Sequence, residues 1–88
     1  MKVIKFGAEW CPGCLIMKPI WSEIEAEAPW LQTEYYDYDQ SEAEVEKYKI
    51  DDKLPCFIFL DNQDKEILRL TGEVPKEKLW ETIIENKD

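Results

Sequence analysis

Histidine is absent from the 88 residues of this chain, and cysteine appears only three times. Without an imidazole there is no His-based acid–base catalysis, no Cys–His hydrolase pair, and none of the commonest metal ligand. Any chemistry must run on thiols, carboxylates, lysines or bound water. Long apolar runs are missing too. The longest, around Phe57–Leu60, falls far short of a bilayer span. Lys2, Lys5 and Glu9 interrupt the N-terminus, so it has no signal-like apolar stretch, and the expected compartment is the cytoplasm. Positive charge is scarce: 11 Lys and Arg stand against 20 Asp and Glu, a net charge of −9. Such a surface repels phosphate, which argues against nucleic acid or membrane as a direct partner. Three cysteines are too few, and odd in number, for a secreted disulfide scaffold.

What is present suits one compact domain over residues 1–88, expected to be a monomer. Hydrophobic residues make up 44 % of the chain and include four Trp, four Tyr and three Phe, enough for a single core. No repeat, low-complexity tract or Gly/Ser linker divides it. Val3–Phe6 reads as a strand ending at Gly7. A helix follows from Pro12, since proline is favoured at the first helical position. Cys14, Met17, Trp21, Ile24 and Ala28 form its apolar face, Pro19 is expected to kink it, and Pro29 ends it. Leu31–Asp39 reads as a Tyr-rich strand whose acidic residues suit a sheet edge. Ser41-Glu42-Ala43-Glu44 has the form of a capping box opening a short helix with Val45 and Tyr48. Cys56–Leu60 is a buried strand. Asp61–Asp64 is a turn, and Glu66–Leu70 returns as a hairpin partner. Pro75 opens a last helix with Leu79, Trp80, Ile83 and Ile84 on one face. The order β-α-β-α-β-β-α predicts an α/β fold, a four-stranded mixed sheet with three helices.

The chemistry concentrates at Cys11-Pro12-Gly13-Cys14. A C-x-x-C beside a βαβ pattern in an intracellular chain is a redox signature. Thiolate is the nucleophile, and the amides and dipole of a helix N-terminus stabilise it. Cys11, at the helix mouth and expected to be exposed, is the candidate nucleophile. Cys14, one turn on and facing inward, is the candidate resolving thiol. Other readings remain open. A structural disulfide would be kept reduced in a cytoplasm. The pair would make only half of a tetrahedral zinc site, with Cys56 alone left to add, so no metal is expected. Cys56 reads as a small apolar core residue, with a regulatory or metal-binding role as the alternative.

Phe6-Gly7-Ala8-Glu9-Trp10-Cys11-Pro12-Gly13-Cys14, with Met17 and Pro19 downstream, resembles the thioredoxin active-site segment. The likeness continues through Tyr38-Asp39-Gln40, Leu54-Pro55 and Gly72. It lacks the extra first strand and helix of full-length thioredoxins, and is of glutaredoxin size. The resemblance implies a thioredoxin-like fold and a thiol–disulfide oxidoreductase that reduces protein disulfides. Its partners would be disulfide-bearing client proteins and a thioredoxin reductase or similar reductant. It would need no cofactor beyond the redox-active Cys11–Cys14 disulfide. It further implies a cis Pro55 packed against the cysteines, and clients bound along Leu54 and Pro55 with Trp10 and Gly72 alongside. From the residues alone, Pro55 could equally be an ordinary trans proline at a strand start, and Trp10 a core residue. Pro12-Gly13 reverses the usual thioredoxin dipeptide and looks more like glutaredoxins. Thr71-Gly72-Glu73, however, lacks the element with which glutaredoxins hold glutathione. A glutathione-dependent enzyme and a non-catalytic interaction module are the alternatives. Lys5 occupies the place where thioredoxins carry a buried aspartate, and Tyr35 the place of its usual lysine partner. Lys5 would either lie under Cys14 and favour its thiolate, or snorkel to the surface.

Overall fold

Residues 1–87 are described by the computed structural model. Asp88, the last residue of the expected domain, lies outside them. The elements are β1 (Lys2–Gly7), α1 (Pro12–Glu27), β2 (Gln32–Asp37), α2 (Glu42–Lys47), β3 (Cys56–Leu60), β4 (Glu66–Thr71) and α3 (Lys76–Asn86). The sheet order is β2-β1-β3-β4, with β1 parallel to β2 and antiparallel to β3, and β3 antiparallel to β4. The expected element order and mixed sheet are what the chain adopts. Among the described residues no helix is long and apolar enough to cross a membrane.

Alternation along β1 divides the core into two layers. Val3 joins Met17, Trp21 and Ile24 of α1, Phe57 and Phe59 of β3, and Leu79 and Ile83 of α3. Ile4 and Phe6 point the other way, toward Ile58 and Leu60, where Val45 and Tyr48 of the α2 segment pack. β3 is buried at every position, as its unbroken apolar run requires. The edge position expected for Leu31–Asp39 is confirmed, although the strand is shorter. Leu31 is held in a turn by Ala28, and Asp39 N–H bonds the Asp37 carboxylate at the other end.

Two local expectations, at Ser41 and Ile84, are corrected. α1 itself carries Pro19 inside one continuous helical span. The proline removes a donor from the Leu15 carbonyl, and Leu15 lies on the solvent side where water can replace it. Ser41 stands at the N-cap of α2, but its side chain makes no capping bond. Its ψ of 55° departs from the extended backbone of a capping residue, so the capping box does not close. On α3, Leu79 and Ile83 are buried and Trp80 is partly so, whereas Ile84 is 54 % exposed. Thr82 takes the place expected of Ile84, hidden with its hydroxyl donating to the Lys78 carbonyl.

This rotation of α3 gives a direct comparison. Ile83→Ala should cost about 2–5 kcal/mol of stability through a buried cavity. Ile84→Ala should stay within about 0.5 kcal/mol. Urea midpoints of the two variants measure the difference, and equal losses would contradict the buried face described.

Candidate active site

β1 ends at Gly7 in the middle of the sheet and delivers the chain to the start of α1. Cys11 occupies the N-cap, with the extended backbone (φ −98°, ψ 109°) that a cap needs. Its sulfur does the work of a capping oxygen, accepting the Cys14 N–H at 3.2 Å. Pro12 follows at the first helical position, where no N–H is required. A thiolate on Cys11 thus faces an amide donor and the positive end of a sixteen-residue helix.

Cys11 is buried, at 5 % exposure, hardly different from Cys14 at 9 %. The expected exposure of Cys11 is therefore corrected. Ala8, Tyr38 and Leu54 close around both cysteines. What separates the two thiols is electrostatic. Burial pushes the Cys14 thiol up to about 12, and its hydrogen bond with Cys11 adds to the rise. Cys14 is thus held protonated at neutral pH.

The residues expected around the pair come together. The Leu54–Pro55 bond is cis, Pro55 is buried, and Leu54 packs partly buried against the cysteines. A Cβ on Gly13 would lie 3.2 Å from the Pro55 ring, which places the proline against the cysteine loop. Gly72 has φ +84°, open to glycine at little cost, and its N–H donates to the Pro55 carbonyl at 2.8 Å. Trp10 is no core residue: it is 55 % exposed. Its indole N–H donates to Asp39 Oδ2 at 2.7 Å, and its ring meets Tyr38 edge-on at 6.2 Å. Asp39 is therefore the residue that orients Trp10, a role the sequence reading did not assign.

Behind Cys14 lies a cavity of about 160 Å³ lined by Lys5, Trp21, Glu25, Tyr35 and Pro55 among others. Lys5 points into this region from the α1 face of β1. Its ammonium donates to Glu25 Oε2, which also accepts the Thr33 hydroxyl at 3.0 Å. It lies 5.4 Å from the Trp21 ring centroid. The Lys5 side chain is 14 % exposed, so it does not snorkel to the surface, and its charge is balanced by a carboxylate. Trp21 Nε1 is buried with no acceptor among the described residues, one more donor in the same region. Tyr35, noted in the sequence at the place of the family's lysine partner, does line this cavity, and Glu25 is the site residue that sequence reasoning missed. Glu25 continues the Cys14–Lys18–Trp21 stripe of α1 at spacings of four, three and four, a legible sign of a charged group on the packed face.

Cys56 follows Pro55 but lies on the opposite layer of the sheet, with Ile4, Phe6 and Ile58. Burial raises its thiol, and Arg69 opposes the rise. Among the described residues no three His, Cys, Asp or Glu side chains could together hold a metal ion.

A dithiol split between a helix cap and a packed helix face, with a cis proline against it, defines a thiol–disulfide oxidoreductase of the thioredoxin fold class. The model of the Thioredoxin family matches residues 1–85, and the chain belongs to that family. It is 31 % identical over 81 residues to the thioredoxin of Chlamydia trachomatis, covering 92 % of this chain and 78 % of that protein. The crystallised Fasciola hepatica thioredoxin superposes with a TM-score of 0.87 at 33 % identity, over 97 % of this chain and 79 % of that one. A Nicotiana alata thioredoxin gives 0.88 at 26 % identity, over 98 % and 72 %.

The raised Cys14 thiol has a consequence at alkaline pH. The folded protein keeps a proton that the unfolded chain loses above its ordinary value of 9.0, so stability is complete below pH 9 and falls toward 12. Reduced protein should lose urea resistance as pH rises from 9.0 toward about 12, and Cys14→Ser should flatten that loss. Cys56, Tyr35 and Tyr36 are raised too and remain in both proteins, so the difference belongs to Cys14. An identical alkaline decline in the two would contradict it.

Proposed function

We propose that this protein reduces disulfides in client proteins by dithiol exchange, with Cys11 as nucleophile and Cys14 as resolving thiol. The observation that carries this reading is the capping bond from Cys14 N–H to the Cys11 sulfur, opposite a Cys14 thiol held protonated. Cys11 thiolate attacks one sulfur of the client disulfide, and the other client sulfur leaves. Cys14 then attacks the Cys11 sulfur and forms the Cys11–Cys14 bond. The client sulfur leaves and ends with the proton that Cys14 gave up. The client gains two electrons and the protein loses them. A thioredoxin reductase or a similar reductant returns the pair to the dithiol. The Cys11–Cys14 disulfide is the only redox carrier this needs.

Trp10 supplies a flat apolar surface beside Cys11, fixed by Asp39. Leu54, Pro55 and Gly72 form the adjoining wall, against which an extended client segment is taken to lie as an added strand. Clients and protein act in the cytoplasm in this reading, and the protein acts as a monomer.

With limiting iodoacetamide, Cys11 should be alkylated well before Cys14 or Cys56, as read by peptide mass spectrometry. Insulin reduction should be lost in both Cys11→Ser and Cys14→Ser. Only Cys14→Ser should accumulate a covalent client adduct, because Cys11 still attacks while nothing resolves the product. Adduct on Cys14 in the Cys11→Ser protein would reverse the two roles.

A further inference from the structure

Tyr35 stands across β1 from the cysteine pair. In the parallel register of β1 and β2 it is opposite Lys5, and its side chain reaches toward Gly7. A Cβ on Gly7 would lie 3.0 Å from the Tyr35 hydroxyl and 3.3 Å from the Cys14 sulfur. Phenol and thiol therefore flank one side-chain-sized space, which only the missing Cβ of Gly7 leaves open. Both line the cavity behind Cys14. Tyr35 is half exposed as a residue, while its hydroxyl end is turned toward Gly7 and the cavity.

We infer that the Tyr35 hydroxyl is the hydrogen-bond donor that meets the Cys14 sulfur as charge develops on it during resolution. This rests on the assignment of Cys14 as the resolving thiol. The charge environment keeps Tyr35 a donor. Burial raises its hydroxyl above the ordinary phenol value, and Asp37, Cys14, Cys11 and Glu9 reinforce the rise. It does not serve as a base. Lys5 is the nearest cation of β1 on this face, and it is committed to Glu25. Trp21 Nε1 and Lys18 also line the cavity, but the Tyr35 hydroxyl is the donor that shares with the Cys14 sulfur the space beside Gly7.

In the step concerned, the Cys14 S–H bond breaks and its sulfur attacks Cys11 of the mixed disulfide. The bond between Cys11 and the client sulfur breaks, and the proton passes through solvent to that departing sulfur. Tyr35 keeps its own proton throughout. Its bond to Cys14 strengthens as thiolate forms and is lost again in the Cys11–Cys14 disulfide, so it favours the transition state over both end states.

Dithionitrobenzoate separates the two steps in one stopped-flow trace. Attack by Cys11 releases a first thionitrobenzoate, and resolution by Cys14 releases a second. Tyr35→Phe removes the hydroxyl and keeps the ring. It should slow the second release about tenfold to a hundredfold, the range for a lost hydrogen bond to a charged group, and leave the first unchanged. An unchanged second phase overturns the inference, and so does equal slowing of both phases, which marks a merely structural role. If the unsubstituted protein shows no second release at all, or Cys14→Ser retains it, the dithiol reading itself fails.

Discussion

The site depends on a sulfur standing where a helix ordinarily has an oxygen. At the start of α1 the backbone amides need an acceptor, and a side chain at the cap usually supplies one. Here Cys11 does so, which ties local helix stability to the charge state of one thiol: the more negative the sulfur, the better the cap. The same turn puts Cys14 on the inward face, where the same ionisation is opposed by burial. Burial on the inward face thus sets Cys14 apart from the chemically identical group three residues before it. Directional disulfide exchange requires that inequality, since a pair that ionised alike would have no fixed order of attack and resolution.

The sheet holds this arrangement still. β1 lies between β2 and β3, so Gly7 is anchored by neighbours on both sides just before the cysteine loop. β3 begins at Cys56, so Pro55 leads directly into the strand that is buried at every position. The Gly72 N–H fixes the Pro55 carbonyl from the end of β4. Trp10 is held at the rim by Asp39. Each support comes from a different strand end at one end of the sheet, the end where the cysteine loop leaves β1.

Much of this was legible in the sequence because the relevant signals are local. The spacing of Cys14, Met17, Trp21 and Ile24 identifies a helix face, and the run Cys56–Leu60 identifies a strand buried on both sides. Pro12 after Cys11 fixes where the helix begins. Local pattern misled where tertiary packing set the outcome. Ile83 and Ile84 are equally apolar, and only the docking of α3 on Val3, Phe57 and Phe59 decides which is covered. Ser41 had the right neighbours for a cap and the wrong backbone angle. Cys11 belongs at a helix mouth, and its burial comes from Ala8, Tyr38 and Leu54, which the chain brings from separate segments.

Lys5 shows why charge was harder to read than shape. A lysine on a strand covered on both faces demands a counter-ion, and the sequence offers 20 acidic side chains without saying which one answers. Glu25 answers because three turns of α1 carry it along the stripe that begins at Cys14, and Thr33 of β2 holds it from the far side. A carboxylate and an ammonium that neutralise one another leave little net field at Cys14, so neither favours its ionisation strongly. The energetic burden of exposing charge on that sulfur then falls on neutral donors close to it. A neutral donor suits the task better than a free cation would. A fixed positive charge would stabilise Cys14 thiolate in the resting dithiol as well, and so would erase the inequality with Cys11. A phenol hydrogen bond grows in strength only as the sulfur becomes negative, so it assists the reaction while leaving the resting order of the two thiols intact.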